Sequence, residues 1–521
     1  MAAIEATRAP RRTATATRPE WHATRAAWHP TARPGGKADD RGSVRAPHAA
    51  ARLRYVRRVP VDSTERTHSS PPGAPDLALH PLLYLVMECG RPLSSGARIA
   101  MHDVDEIVIG RGDARAIVRE GRTVRVSVAD RRMSVSHARI VRRDGRVSLE
   151  DLGSTNGTLC DGERIERAAL ASGAVIEAGQ TFFRYVEISE ASSWRTTDLD
   201  AEREPTREPG LATLDPLLAA RLARVERVAR SGVSVMITGE TGTGKDVLAR
   251  AVHALSERPG PFIAVNCGAI PQTLVESQLF GHVKGAFSGA TRDETGLVRA
   301  AHHGTLFLDE IADMPSPSQA ALLRVLQDGE VMAVGSTRAT KVDVRVVCAT
   351  HQPLDAMMER GSFRRDLYAR LAGFTFALPP LRERMGDFGL LVAALLRSPK
   401  VRGGETLRFR PDAARALMRF AWPLNVRELE QTLSTSSVLS EEGLIRLEDL
   451  PAAIAEAAPH VPDDCSTPDE DDAIRRELLL RLAETGGNVS EVARAMGKAR
   501  QQVQRWVRRF GIDPEAFRKK V

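Results

Sequence analysis

The chain has 521 residues, 42% of them hydrophobic, 27% charged and only 4% aromatic. That length leaves room for about three or four domains, and the apolar fraction excludes a chain disordered throughout. An absence of long uncharged apolar runs argues against a spanning helix and a secretory leader, and five scattered cysteines argue against a disulfide framework or a Cys-based zinc site.

A reducing cytoplasm, with no membrane partner, is the expected compartment. The net charge of +7 is unevenly spread. Residues 1–60 carry 13 Lys/Arg against 4 Asp/Glu, and residues 473–521 carry 12 against 5, so the middle of the chain is acidic. Basic ends on an acidic middle point to a nucleic-acid contact at one end.

Residues 1–78 are rich in Ala, Arg, Thr and Pro without an apolar period, and read as a disordered basic arm. Such an arm either touches DNA or is a solvated tail. From 82 to 188 the pattern is β, in short alternating runs such as Glu106-Ile107-Val108-Ile109. Asp144-Gly145 between two such runs is a hairpin signal. Ile109-Gly110-Arg111-Gly112, Ser134-Val135-Ser136-His137 and Asp151-Leu152-Gly153-Ser154-Thr155-Asn156-Gly157-Thr158 follow in order. In order and spacing they resemble forkhead-associated (FHA) domains, which implies a β-sandwich whose end loops bind phosphothreonine. By that resemblance Arg111 supplies a charged fork for phosphate, Ser134 and Thr155 donate hydroxyl bonds, and Asn156 bonds the ligand backbone. His137 reads as a structural brace. A Ser/Thr protein kinase is the implied upstream partner. The alternative is a sandwich kept for assembly that no longer reads phosphate.

Residues 189–211 read as a linker. From 212 to 453 helical patterns alternate with short apolar strands, an α/β layer architecture. The run Ser234–Thr238 leads into Gly239-Glu240-Thr241-Gly242-Thr243-Gly244-Lys245-Asp246 and then an apolar-periodic helix. A loop of this kind wraps backbone N–H groups around phosphates, and its Lys reaches the outer ones. Downstream, Gly304–Leu308 is an apolar strand ending in Asp309-Glu310. Asp309 is placed to hold Mg2+, directly or through water, and Glu310 to polarise an attacking water. The two elements together predict binding and hydrolysis of ATP.

Glu276–His282 and Gly285-Ala286-Phe287-Ser288-Gly289-Ala290 complete a pattern that resembles the AAA+ domain of the sigma-54-dependent transcriptional activators. The second string resembles the family's GAFTGA loop, which engages sigma-54. Physically it is a glycine-rich hairpin carrying one apolar probe, Phe287. The resemblance implies further roles. Asn266 sits where the family has a switch Asn that holds the second acidic residue. Thr350 matches the first sensor, and Arg364 and Arg370 match the arginine fingers supplied by a neighbouring subunit, which implies a homo-oligomeric ring, usually a hexamer. Arg427 matches the nucleotide contact of the second sensor, and residues 382–453 match the helical lid that follows the α/β subdomain at 212–381. Asp246 after the Lys is normal in the family. The sequence departs from the pattern at Ser288, Arg299, Ala333 and Leu424, which bears on how nucleotide turnover is coupled to the loop.

Residues 454–472 form an acidic linker, and 473–521 read as helical. Asn488–Glu491 has capping-box spacing, Gly497 makes a turn, and Ala499–Phe510 reads as a second helix. Arg500, Gln501, Gln504 and Arg505 lie largely on the other side from its apolar stripe, as base- and phosphate-reading residues do. The string Gly487–Gly497 resembles the Fis-type helix-turn-helix. The expected architecture is thus multidomain: an all-β FHA sandwich, an α/β AAA+ P-loop ATPase with helical lid, and an all-α helix-turn-helix. The expected function is ATP-dependent activation of sigma-54 RNA polymerase holoenzyme from upstream promoter DNA, regulated through phosphothreonine. The rivals are a phosphopeptide-binding DNA adaptor with lost or uncoupled ATPase and an AAA+ remodeller of another client.

Overall fold

Leu82-Leu83-Tyr84-Leu85-Val86-Met87 is apolar at every position, and a strand of that kind needs cover on both faces. It receives it. In the computed structural model, which describes residues 77–191, 195–203, 210–456, 477–497, 500–509 and 511–517, the strand Leu77–Glu88 lies inside a seven-stranded sheet. The order there is Leu199–Asp200, Ala97–Ala100, Leu77–Glu88, Thr181–Ala191, Val175–Ala178, Thr158–Cys160, Glu163–Ile165. A six-stranded sheet, order Arg167–Ala169, Arg146–Asp151, Ala138–Arg143, Glu106–Arg111, Thr123–Val128, Ala116–Glu120, packs against it. Leu83, Leu85, Ile99, Ile107, Ile109, Val126, Ile140 and Phe183 fill the space between. The hairpin expected at Asp144-Gly145 is present: Arg143 pairs with Arg146, and both turn residues have positive φ.

Two boundaries differ from the sequence reading. Leu77 and Ala78, read as the end of the arm, pair with Ala191 and Glu190 as strand. Leu199–Asp200, read as linker, pairs with Arg98 and Ala97. Asp198 accepts from the Ala100 N–H and from Arg119, and Asp200 accepts from Arg115, so charged residues that resembled a solvated linker are ion-pair partners of the sandwich. The basic arm through residue 76, and most of the acidic linker, lie outside the described residues.

The second layer system is a five-stranded parallel sheet, order Phe262–Asn266, Thr305–Asp309, Arg345–Thr350, Val235–Thr238, Phe374–Ala377. Its strands alternate between two cores. Val235, Ile237, Phe307, Val347 and Phe376 face the helices Pro216–Ala229 and Lys245–Leu255. Met236, Leu306, Leu308, Val346 and Cys348 face Gln272–Phe280, Ser316–Asp328 and Arg365–Leu371.

Helices Phe388–Leu396, Pro411–Arg419, Asn425–Leu439 and Ala452–Ala455 form the lid. Its core is continuous with the sandwich. Leu82, Tyr84, Val86, Cys89 and Phe182 belong to the same buried cluster as Phe388, Val392, Leu417 and Trp422. Contact is backbone-close: a Cβ on Gly389 would overlap the Val86 carbonyl oxygen, and one on Gly386 would press into the Tyr84 ring. The Thr213-Leu214 segment is wedged at the junction. Thr213 Oγ1 and the Leu214 N–H donate to buried Asp387 at 2.7 and 2.6 Å, while Arg98 donates to the Leu214 carbonyl at 2.7 Å.

Near the C-terminus, residues 477–484 and the segments Val489–Ala495 and Arg500–Arg509 are helical. Leu478, Leu482, Val492, Val503 and Val507 form a small core of their own. Asn488 caps the second helix by accepting from the Ser490 N–H.

Candidate functional site

The sequence-predicted phosphate residues converge at the C-terminal edge of the parallel sheet. Val235–Thr238 ends in the glycine loop, and Lys245 opens the next helix. Gly239, Gly242 and Gly244 all have positive φ. At Gly242 a side chain is impossible for a second reason, because its Cβ would overlap the Leu424 carbonyl oxygen. Lys245 Nζ donates to the Gly239 and Glu240 carbonyls at 2.9 and 3.0 Å. Burial lowers the Lys245 pKa, against the raising influence of Glu310 and Asp309. Thr243 is buried and its hydroxyl donates to the Glu240 carbonyl, whereas Asp246 is exposed.

Asp309 ends the strand Thr305–Asp309, one strand removed from Val235–Thr238, with Arg345–Thr350 between them. Burial, with the adjacent Glu310 charge, raises its carboxyl above the usual range. A divalent ion beside a triphosphate needs only one or two protein carboxylates, phosphate oxygens and water completing its shell. Asp309 between Lys245 and Glu310 fits that demand. Among the described residues no cluster of three or more His, Cys, Asp or Glu is built to hold a metal unaided. Glu310 itself has left-handed backbone, φ 51°, a conformation that non-glycine residues adopt mainly where surrounding structure imposes it.

Asn266 does not hold Glu310 here. Its Nδ2 donates to Asp309 at 3.4 Å while its Oδ1 accepts from the Gly268 and Ala269 N–H groups, which makes it the cap of the following turn. Glu310 instead takes a hydrogen bond from His351 Nδ1 at 2.8 Å. Thr350 is fully buried, and its hydroxyl accepts from the Gln352 N–H at 3.0 Å.

The lid reaches the phosphate loop through residues that motif reading passed over. Arg382 donates twice to Glu240, at 2.8 and 2.6 Å, Asn425 Nδ2 donates to the same carboxylate at 3.1 Å, and Arg384 donates to the Thr243 carbonyl at 2.8 Å. Those bonds, Arg382 foremost, pull the Glu240 carboxyl down to about 2. The available signal is the charged run Arg382-Glu383-Arg384, one residue after Pro379-Pro380. Arg427 is exposed and its N–H donates to the Gly242 carbonyl at 3.2 Å, which brings it to the loop. Arg364 and Arg370 are both exposed; Arg364 is paired with Asp366 at 2.7 Å.

The glycine-rich hairpin projects from the small ladder Gly281–His282 with Glu294–Thr295. The Gly285 N–H donates to the Ala290 carbonyl and the Ala290 N–H to the Phe287 carbonyl, while Gly285 and Gly289 have positive φ. Phe287 is 39% exposed and its ring rests against His282, centroids 5.0 Å apart. A Cβ on Gly335 would press on Ala286, so the loop after Ala333 supports the hairpin from one side.

In the sandwich, Arg111 ends the strand Glu106–Arg111, Ser134 lies in one loop, and Thr155 and Asn156 lie in another. The Arg111 N–H donates to the Ser134 carbonyl at 2.9 Å, and the Thr155 N–H donates to Ser134 Oγ at 3.2 Å. The Arg111 side chain is exposed. Asn156 donates through Nδ2 to the Arg132 carbonyl at 2.6 Å, so one of its bonds braces the loop. His137 is buried; Nδ1 accepts from the Ser134 N–H and Nε2 donates to the Gly157 carbonyl, both at 3.1 Å. Burial holds its pKa down, as a neutral brace requires. Of the DNA-reading set, Arg500 and Gln504 are exposed on the last helix, and the side chains of Gln501 and Arg505 lie outside the described residues.

Four family models match. The Sigma-54 interaction domain covers residues 211–377, the AAA+ ATPase lid domain 382–466, the FHA domain 107–179 and a homeodomain-like domain 469–515. Among curated relatives, the acetoin catabolism regulatory protein of Cupriavidus necator is 43% identical over 60% of this chain and 49% of its own length. The transcriptional regulatory protein GlrR of Escherichia coli is 40% identical over 59% of this chain and 69% of its own. The response regulator protein PilR of Pseudomonas aeruginosa is 40% identical over 62% and 74%. The chain therefore spans about half of the first relative and about seven-tenths of the other two. No helix among the described residues is long and apolar enough to cross a membrane. With the domain matches and the extent of these likenesses together, the chain belongs to the family of sigma-54-dependent transcriptional regulators.

Proposed function

We propose that the protein is an ATP-driven activator of transcription that remodels sigma-54 RNA polymerase holoenzyme. The observation that carries this is the convergence of Lys245, Asp309 and Glu310 on one sheet edge, with Arg427 of the lid against the same loop. Lys245 and the loop N–H groups bind the phosphates, Arg427 reaches the nucleotide from the lid, and Thr350 senses it. Bound Mg2+, held by Asp309, would neutralise charge developing on the phosphate oxygens. Glu310 orients and polarises the water. Arg364 and Arg370 act on the nucleotide of a neighbouring protomer in a ring, the exposure of both being what such a role needs. Turnover moves the Phe287 hairpin against sigma-54.

The helices at 477–517 read upstream promoter DNA through Arg500, Gln501, Gln504 and Arg505. The sandwich binds a phosphothreonine, placed by a Ser/Thr kinase, through Arg111, Ser134, Thr155 and Asn156. Its continuous core with the lid is what supports a regulatory link between peptide and ring.

A purified transcription system with sigma-54 holoenzyme tests this. Wild-type protein with ATP should open the promoter, a phosphothreonine peptide should change the yield, and Lys245→Ala should abolish activity. Equal transcription with Lys245→Ala would contradict the mechanism. A second reading, a DNA-bound phosphopeptide adaptor without coupled turnover, draws support from exposed Arg299 and from Ala333, where the sequence departs from the family at the hairpin's support. ATP hydrolysis without any promoter opening would favour it.

A further inference from the structure

Glu310 and His351 stand at the ends of adjacent parallel strands. Leu308 is in register with Cys348, so the residues just beyond each strand are neighbours. His351 Nδ1 lies 2.8 Å from Glu310 Oε2, and the His351 N–H donates to the same oxygen at 3.4 Å. The second carboxylate oxygen, Oε1, accepts no hydrogen bond among the described residues. Glu310 is 17% exposed and His351 45% exposed at the side chain, so the pair forms a rim rather than a buried couple. Asn266, the other candidate for holding this carboxylate, is spent on Asp309 and on capping its own turn. Thr350 is turned to the Gln352 N–H, and Gln352 in turn donates to Asp313 at 2.7 Å.

A carboxylate on a left-handed backbone needs something to select its rotamer. Anchoring one oxygen and leaving the other open does that, and it leaves an acceptor in place for a water. We propose that His351 is the positioning residue for Glu310, fixing Oε2 so that Oε1 is presented to the hydrolytic water. This rests on the reading of Glu310 as the residue that polarises that water. The imidazole acts through Nδ1, which must carry the proton, and its role is exerted through Glu310.

The geometry makes a specific demand on replacements. In Asn the amide nitrogen is bonded to Cγ, as Nδ1 is in His; in Gln it sits one bond further out. ATP hydrolysis by the full chain should therefore be followed for wild type, Glu310→Gln, His351→Ala, His351→Gln and His351→Asn. His351→Ala and His351→Gln should lower kcat by about tenfold or more with KM for ATP within about twofold, because a positioning loss acts on the chemical step. His351→Asn should stay within about threefold of wild-type kcat. If wild type fails to hydrolyse ATP, or Glu310→Gln hydrolyses it normally, the underlying reading fails and the proposal with it. If those two controls behave, the proposal alone is overturned by any of three results: an unchanged or faster His351→Ala, a Gln variant as active as the Asn variant, or an effect on KM that exceeds that on kcat.

Discussion

Arg415, on a lid helix, places its guanidinium squarely on Glu177 of the sandwich, with Nε and Nη2 donating at 2.6 and 2.7 Å. The side chains are 12% and 3% exposed, so this bidentate pair is shielded from water where the two layers meet. Removing one partner strands the other. Arg415→Ala should destabilise the protein by about 3–5 kcal/mol, while Arg415→Met with Glu177→Leu should recover most of that loss. Urea unfolding of the single and double variants measures both.

Gly389 tests the same junction without charge. Its missing Cβ lets the lid helix approach the Val86 carbonyl, and no rotamer can relieve a clash with backbone. Gly389→Ala should separate the lid from the sandwich. The expected readout is protease cleavage in the 195–215 segment, with any effect of a phosphothreonine peptide on ATP turnover lost.

Asp387 links the junction to pH. Burial raises its carboxyl to about 6, although Thr213 and Leu214 donate to it. A raised folded-state pKa means that the native state holds the proton more tightly. The contribution is fully present below about pH 4 and is lost as pH rises through about 6, a swing of roughly 3 kcal/mol. Asp387→Asn should flatten the thermal midpoint between pH 4 and 6 relative to wild type. A wild-type midpoint with the same slope as the Asn variant would contradict the assignment.

Much of this was legible in the chain itself. Gly242 and Lys245 announced the loop, Asp309-Glu310 the carboxylates, and Asp144-Gly145 the hairpin, because each depends on local backbone chemistry. The continuous apolar run Leu82–Met87 carried the sign of two covered faces, but not the identity of the second cover. That depends on lid residues some three hundred positions away, which pattern does not pair. Leu199–Asp200 read as linker because charges look solvated until their partners, Arg115 and Arg119, are folded beside them. The motif pairs Asn266 with Glu310, and the structure gives it Asp309; which side chain reaches a carboxylate depends on χ angles that a motif does not encode.

Exposed pairs should matter for ligand and little for stability. Glu240 and Arg382 are each more than 40% exposed, so Arg382→Ala should leave the unfolding midpoint close to that of wild type. The same change removes the lid's two bonds from Arg382 to Glu240 while those of Asn425 and Arg384 remain, and KM for ATP should rise several-fold. Nucleotide titration beside thermal unfolding separates the two effects.

At the sandwich end, Gly110 supports the exposed guanidinium next to it, since a Cβ there would overlap the Val135 carbonyl oxygen. Arg111→Ala and Gly110→Ala should each abolish binding of a phosphothreonine peptide, measured by fluorescence anisotropy, but only Gly110→Ala should also lower the unfolding midpoint. Equal affinity for phosphorylated and unphosphorylated peptide in wild type would remove the phosphate-reading role.

The central claim is that bound triphosphate is cleaved between protomers. The most direct measurement is specific ATPase activity as a function of protein concentration, for wild type and for Arg370→Ala. The account predicts activity per protomer that climbs steeply with concentration and stays near zero in the variant. A constant specific activity at every concentration, unaffected by the loss of Arg370, would contradict it.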